Sequence, residues 1–295
     1  MRPLRYPLSA LVSYHYAKTW PVDEFCGEGL RLIADSGAFS AESKGAKIDV
    51  NQFGEWANRY KESFAWIASL DVIGNANASF ENYKTLREHH NLEVIPTVHY
   101  GAAPETIDRY ASDGVDFIGL GGMVSRSSSP DQLLRWCLTM FRYARDKWPN
   151  VRFHGWGVTH RKLVNLPWYS IDSSGFGSAY MFARALLVDP TTNETLTYAL
   201  NGKDAYQHAD LLLRHYGVRP QEAAVSTPQN ALFWARMMAR SAQHMEDAAR
   251  RKHRVTPPTY GEMQPARGTH VHYATGSRFV IESLGKSKEG THVDA

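Results

Sequence analysis

The first 175 residues repeat one pattern: a short apolar run that ends in a polar or very small residue, followed by an amphipathic segment. The runs lack strict alternation of apolar and polar residues, which is typical of strands buried on both faces of a parallel sheet. Seven runs are predicted as strands: Leu8–Tyr14, Leu30–Asp35, Phe64–Val72, Leu92–Tyr100, Val115–Met123, Val151–Thr159 and Trp168–Ser174.

Two of the intervening segments have clear helical spacing. In residues 50–63, Phe53, Trp56 and Tyr60 share one face, and residues 130–148 carry a broad apolar stripe that begins at Pro130. Strand and helix therefore alternate. Because crossovers between parallel strands are right-handed, seven or eight such units predict an α/β protein with a (β/α)₈ TIM-type barrel. An open doubly wound sheet is the lesser alternative.

The alternation breaks after Asp172. A turn-rich centre at 189–193 between two apolar runs predicts a hairpin-like insertion after strand seven, and residues 205–217 are predicted to form a helix that ends at Gly217. A long basic helix is predicted from 226 to 254. We expect domain boundaries of 1–255, for a barrel that includes this helix, and 256–295, for a C-terminal appendage whose last ten or so residues are disordered.

Composition limits the class of protein. A chain of 295 residues with 43% hydrophobic residues can form one barrel or two smaller domains, and its net charge of +3 permits nucleic-acid binding without requiring it. Two cysteines, Cys26 and Cys137, cannot form a disulfide framework, which favours a cytoplasmic location. No apolar run approaches the roughly 20 residues that span a bilayer, so we expect no membrane partner.

The predicted strands end in residues suited to chemistry. These strand-end residues are Asp35, Asp71, His99, Gly121 with Gly122, Gly155 with Gly157, and Asp172. In a barrel the carboxyl ends of all strands converge on one face, where active sites are built. A single aspartate there can merely cap a loop, a single histidine can be a core residue, and a glycine can serve a turn. Their recurrence at one edge of successive strands favours a shared site.

Five segments resemble motifs of the tRNA-guanine transglycosylases. The segment DSGAFS (35–40) resembles their DSGGFQ signature, and SLDVIG (69–74) occupies the place of a second base-contacting aspartate. The segments TVHYG (97–101) and GLGGMV (119–124) match their glycine-containing base-contacting loops, and SIDSSGFG (170–177) falls where their nucleophile strand is expected. Order and rough spacing match from about Leu30 to Gly177. The resemblance is closer to shorter, phage-encoded relatives that act on DNA and insert 7-deazaguanine bases.

The resemblance implies an enzyme, a pentosyltransferase that exchanges guanine for a 7-deazaguanine base through two displacements at C1′. Asp172 is then the nucleophile, Asp35 the group that moves the proton of the base's ring nitrogen, and Asp71 the acceptor for the N1–H and exocyclic amine of a guanine-like base. The other substrate-binding positions it implies are His99, Gly121, Gly122, Ser36 and Gly37.

The chain departs from the tRNA enzymes in two respects. It has no cysteine after Cys137, so their C-terminal zinc site of three cysteines and one histidine is missing or replaced, and we expect neither a metal nor another cofactor. His99 stands where they have a base-binding glutamine, so the substituent of the incoming base stays open.

The expected partners are DNA, with tRNA as the alternative, and the free 7-deazaguanine base. A guanine in a duplex must be flipped out before it can react, and the backbone needs a positive surface. Residues expected to contact nucleic acid are Arg250, Arg251, Lys252, Arg254, Arg161 and Lys162.

Two other functions remain open. A metal-dependent barrel hydrolase could use His99, His154, His160 and Asp172, although no HxH or HExxH pair falls on a predicted core element. A barrel that binds nucleic acid without catalysis would make the acids structural. Three aspartates at one mouth disfavour that function because they would repel phosphates.

Overall fold

The protein is described by a computed structural model over residues 8–25, 30–123, 128–158, 160–173, 184–192, 194–199, 203–224, 231–253 and 270–274. It is a mixed α/β protein with parallel strands. The chain forms two compact units, of which the first comprises Met1–Ala10, Glu24–Arg31 and Ser173–Ala295, and the second Leu11–Asp23 and Leu32–Asp172. The predicted boundaries 1–255 and 256–295 stay a prediction, since most of 256–295 lies outside the described residues.

The described strands are β1 (Leu8–Ser13), β2 (Leu30–Asp35), β3 (Phe64–Ala68), β4 (Val94–Ile95), β5 (Thr97–His99), β6 (Phe117–Gly121), β7 (Arg152–Gly155), β8 (Ser170–Ser173), β9 (Arg184–Asp189), β10 (Glu194–Ala199) and β11 (His270–Ala274). The described helices are α1 (Tyr14–Ala17), α2 (Ala38–Glu42), α3 (Val50–Arg59), α4 (Ala76–Glu88), α5 (Asp108–Ala111), α6 (Pro130–Lys147), α7 (Arg161–Val164), α8 (Lys203–Gln207), α9 (Ala209–Leu211), α10 (Pro220–Ala223) and α11 (Ala231–His253). All seven predicted strands are therefore present, most of them with shorter ends.

Two runs of strands pair in sequence order and in parallel: β2 with β3 and β3 with β4, and then β5 with β6, β6 with β7 and β7 with β8. Pro96 separates β4 from β5 within what the sequence predicts as one strand, because proline has no N–H for the ladder. Its carbonyl still accepts a hydrogen bond from the Gly119 N–H at 2.8 Å. The segment 94–99 therefore contacts β3 on one side and β6 on the other.

Local sequence explains where the connecting helices begin. Helix α3 begins after Asp49, whose carboxylate accepts hydrogen bonds from the backbone N–H groups of Asn51 and Gln52, and it buries Phe53 and Trp56 as predicted. Helix α6 begins after Ser129, which forms a reciprocal capping box with Gln132. Caps and apolar faces thus fix the helices that carry the chain from strand to strand.

In the first unit, β9 and β10 pair in an antiparallel hairpin, from Arg184 opposite Ala199 to Asp189 opposite Glu194, which confirms the predicted hairpin. The predicted helix before Gly217 is present as α8, α9 and a π-helical turn at Leu212–Tyr216, and Gly217 ends it with a φ of 63°. The long helix is α11. No helix in the described ranges combines the length and the apolar character needed to cross a membrane.

Candidate active site

Three carboxylates lie close together at the carboxyl ends of parallel strands in the second unit. Asp35 is the last residue of β2, Asp71 follows β3, and Asp172 lies in β8. The negative charges of Asp172 and Asp71 both act on Asp35. The strand-end aspartates that the sequence singled out therefore belong to one cluster.

Asp35 holds its proton up to neutral pH. Burial, together with the charges of Asp172 and Asp71, raises its pKa from 3.8 to about 7, against the opposing effect of backbone N–H donors. One donor is Gly37, whose N–H lies 3.0 Å from Oδ2. Gly37 has a φ of +77°, and a Cβ there would lie 2.3 Å from the Ser13 hydroxyl, so only glycine fits this position.

Asp71 faces His99 across a partly open surface. Their nearest atoms, Oδ2 and Nε2, lie 3.5 Å apart, and the side chains are 18% and 27% exposed. Burial raises the pKa of Asp71 to about 7, although a hydrogen bond from Thr97 lowers it, and burial lowers the pKa of His99. Near neutral pH the imidazole of His99 is therefore mostly neutral and the carboxylate of Asp71 is only partly ionised. Both side chains are open enough for a ligand to reach them.

Contacts from Gly157 and His154 fix one carboxylate oxygen of Asp172. Its Oδ1 accepts a hydrogen bond from the Gly157 N–H at 2.7 Å and lies 3.5 Å from Nε2 of His154. The other ring nitrogen of His154, Nδ1, lies 2.7 Å from the Ser170 hydroxyl. Both His154 and Ser170 are fully buried, and burial lowers the pKa of His154 despite Asp172. A neutral, fixed imidazole therefore lies behind the carboxylate.

Aromatic rings enclose this imidazole. The ring of Trp156 meets His154 edge-on with centroids 4.2 Å apart, and that of Trp66 does so at 4.9 Å. The Trp156 indole N–H donates to the Thr97 hydroxyl at 3.0 Å, which connects the Asp172 side of the cluster to the Asp71 side. A Cβ on Gly119 would lie 2.3 Å from that indole nitrogen, so glycine makes the space for the ring.

The predicted substrate-binding glycines have steric roles. A Cβ on Gly121 would lie 2.8 Å from Thr97 Cγ2 and 3.3 Å from His99 Cδ2. Gly122 has a φ of +75° and packs against the backbone nitrogen of Tyr100. Ser36, the remaining predicted residue, is buried between Asp35 and Gly37.

Sequence reasoning missed the supporting residues of the site. The sequence pattern points to His154 only as a possible metal ligand, and it does not single out Thr97 or Ser170. The signal was present, because all three are polar residues inside runs that otherwise read as buried strands.

The predicted nucleic-acid residues differ in exposure and in pairing. Arg250 is buried and ion-paired with Glu246, which corrects the prediction that it faces a polynucleotide. Arg251 and Lys252 are exposed, and the Arg251 guanidinium lies 3.5 Å from a backbone carbonyl. Lys162 is exposed and ion-paired with Asp131.

Arg254 and the side chain of Arg161 lie outside the described residues. Within the described ranges, no group of three or more histidine, cysteine, aspartate or glutamate side chains is arranged to hold a metal ion. Comparisons of the chain with protein-family models, with curated proteins and with solved structures find no match.

Proposed function

We propose that this protein is a base-exchange transglycosylase that replaces guanine in a polynucleotide, by preference DNA, with a free 7-deazaguanine base. The observation that carries the proposal is the cluster of three carboxylates, two of which have a pKa of about 7. Exchange at C1′ with retention of configuration needs a carboxylate nucleophile, a group that transfers a proton near neutral pH, and a carboxylate that recognises the base.

Asp172 is the nucleophile in this mechanism. Its Oδ1 is held by Gly157 and faces His154, which leaves Oδ2 to attack C1′. The bond between C1′ and N9 of guanine breaks as the bond between C1′ and Oδ2 forms, and the departing base takes the electron pair. The incoming base then attacks C1′ and releases the carboxylate, so two inversions restore the original configuration.

Asp35 transfers the proton in both steps. In its neutral form it protonates the departing guanine, and its conjugate carboxylate then removes the N9 proton of the incoming base. A pKa of about 7 suits both directions at neutral pH, because neither protonation state is costly to reach.

Asp71 and His99 recognise the base. As a carboxylate, Asp71 accepts hydrogen bonds from N1–H and the exocyclic amine, and His99 contacts the carbonyl oxygen or the substituent at position 7. Both side chains are partly exposed, as a base-binding pair must be. The small residues Gly121 and Gly122 let the flat ring approach the strand ends.

The fold that we propose for this enzyme is a (β/α)₈ barrel. Strands β2 to β4 pair in parallel in sequence order, and so do strands β5 to β8. Right-handed crossovers between such strands put every connection on the same face, which curls a sheet toward closure. We also propose a cytoplasmic location, where thiols stay reduced, and a reaction without cofactor.

Trapping the covalent intermediate tests the function. The protein is incubated with a guanine-containing DNA oligonucleotide without incoming base, and an adduct that survives denaturation is expected. Asp172→Asn should abolish the adduct, whereas Asp35→Asn should slow it by roughly 10² to 10⁴ because only proton transfer is lost. A full adduct yield with Asp172→Asn would assign the nucleophile elsewhere. Labelled guanine incorporated into tRNA but not DNA would favour the RNA alternative.

A further inference from the structure

Beside Asp35, the second unit exposes aromatic rings among positive charges. We call this surface the aromatic–basic patch and define it by Tyr16, Phe39, Lys18, Lys44 and His15. Phe39 is 66% exposed and Tyr16 is 39% exposed, the first being the most exposed large hydrophobic side chain among the described residues. The Lys44 ammonium lies 4.6 Å from the centroid of the Tyr16 ring, and the His15 ring packs edge-on against the same ring at 4.8 Å.

The charges of the patch are positive and available. Lys18 and Lys44 are exposed, and neither has an acidic partner within 4 Å among the described residues. Apart from burial, the charges that lower the pKa of His15 are those of Lys44 and Lys18. Glu42, in helix α2, is exposed and pairs with neither lysine. Such a combination of ring faces and cations suits an anionic ligand with flat rings.

The patch is tied to the candidate active site through the backbone. The Gly37 N–H that binds Asp35 immediately precedes helix α2, and Phe39 is the second residue of that helix. On the other side, a Cβ on Gly37 would lie 2.6 Å from His15 Cβ, so helix α1 and the start of α2 are in direct contact. Phe39 therefore lies only four residues after Asp35, at the start of the helix that follows the candidate active site.

We propose that the aromatic–basic patch binds the single-stranded segment next to the target nucleotide, with Phe39 stacking on an unpaired base and Lys18 and Lys44 contacting its phosphates. The proposal rests on the proposed function and names its substrate as a strand whose bases around the target are unstacked. Stacking on an aromatic ring tolerates any base, and lysines contact phosphates without regard to sequence. The patch therefore supplies affinity for the strand, while the acid cluster selects the guanine.

Binding of oligothymidylate of about 12 nucleotides tests the patch without any chemistry, since this strand offers no guanine. Measured by fluorescence anisotropy, Phe39→Ala is expected to bind about tenfold more weakly than the unaltered protein. Lys18→Gln and Lys44→Gln should each make the negative slope of log affinity against log salt shallower by about 0.7, the value for one phosphate of a single strand.

Two matched controls separate this role from general surface effects. Lys84→Gln removes a lysine that also lies over an aromatic ring, that of Phe80, but is ion-paired with Glu81, and Tyr206→Ala removes another exposed aromatic residue; neither should change binding. Thermal melting confirms that each variant folds. Unchanged binding in Phe39→Ala and both lysine variants overturns the proposal, even if base exchange is observed. Loss of binding in these variants with no base exchange in any assay supports the patch and refutes the transglycosylase.

Discussion

Asp35→Asn is expected to stabilise the protein, and more so at pH 8 than at pH 5. In the folded state the pKa of Asp35 is raised to about 7 from 3.8, so folding is penalised wherever the unfolded chain would ionise this group. The full shift corresponds to about 4 kcal/mol, since one pKa unit is about 1.4 kcal/mol. Asparagine keeps an oxygen for the Gly37 N–H but carries no charge to bury.

The sign follows from proton binding. Between pH 4 and pH 7 the folded protein holds a proton on Asp35 that the unfolded chain has lost, so the free energy of unfolding falls as pH rises through this window. The loss of stability caused by the raised pKa of Asp35 is partial at pH 5 and complete above the folded-state pKa. The stability gained by Asp35→Asn should therefore be larger at pH 8 than at pH 5 by about 2 to 3 kcal/mol.

Urea denaturation of the unaltered protein and of Asp35→Asn, each at pH 5 and pH 8, measures this difference. An effect of asparagine on packing is the same at both pH values, so it cancels when the two are subtracted. Asp108→Asn is the matched control. Hydrogen bonds from Lys147, Trp148 and Tyr143 hold the pKa of Asp108 below its ordinary value, so this carboxylate contributes stability above its unfolded pKa and loses it only in acid. Its replacement should lower stability equally at pH 5 and pH 8. A pH-independent effect of Asp35→Asn would refute the reasoning.

The remaining predictions concern the groups around the carboxylates. His154→Gln should lower kcat more than KM, because the neutral imidazole positions Asp172 without touching substrate; steady-state kinetics separates the two constants, and an unchanged kcat would contradict it. Gly121→Ala should destabilise the fold by about 1 to 3 kcal/mol in urea denaturation, since its Cβ would overlap the Thr97 methyl group. Asp71→Asn should weaken discrimination between guanine and adenine in competition assays. The same change should also move the basic limb of the pH–rate profile to lower pH, because it removes a negative charge that raises the pKa of Asp35. An unmoved limb would separate Asp35 from the proton transfer.

Much of the fold could be predicted because each buried strand coincides with a local apolar run in the sequence. Pairing between strands could not, since it depends on register. His154 lies opposite Ser170, and Thr97 lies opposite Gly119. Because alternate residues of a strand share one face, this register puts Ser170 and Asp172 on the side of His154. No property of the separate runs specifies that alignment.

The error at Arg250 has a different cause. The basic run 250–254 predicts a solvated surface because no acidic residue follows Asp247 within the run. Glu246 precedes Arg250 by four residues, the spacing at which side chains of one helix meet, and the two form an ion pair away from solvent. The possible ion pair could be inferred from this spacing in the sequence. The burial of this helix face could not, because it depends on tertiary packing.

The carboxylate cluster suggests how base binding prepares the acid. Asp71 and Asp35 both have a pKa of about 7, and the charge of Asp71 raises the pKa of Asp35, so their titrations are coupled. A guanine-like base offers Asp71 only donors, which favours its ionised form. Once Asp71 is held ionised, its charge favours the protonated form of Asp35, which is the form that the proposed mechanism requires to protonate the departing guanine. In the proposed reaction, binding of the base at Asp71 therefore keeps Asp35 protonated, which gives a functional reason for burying these two acids near one another despite the cost in stability.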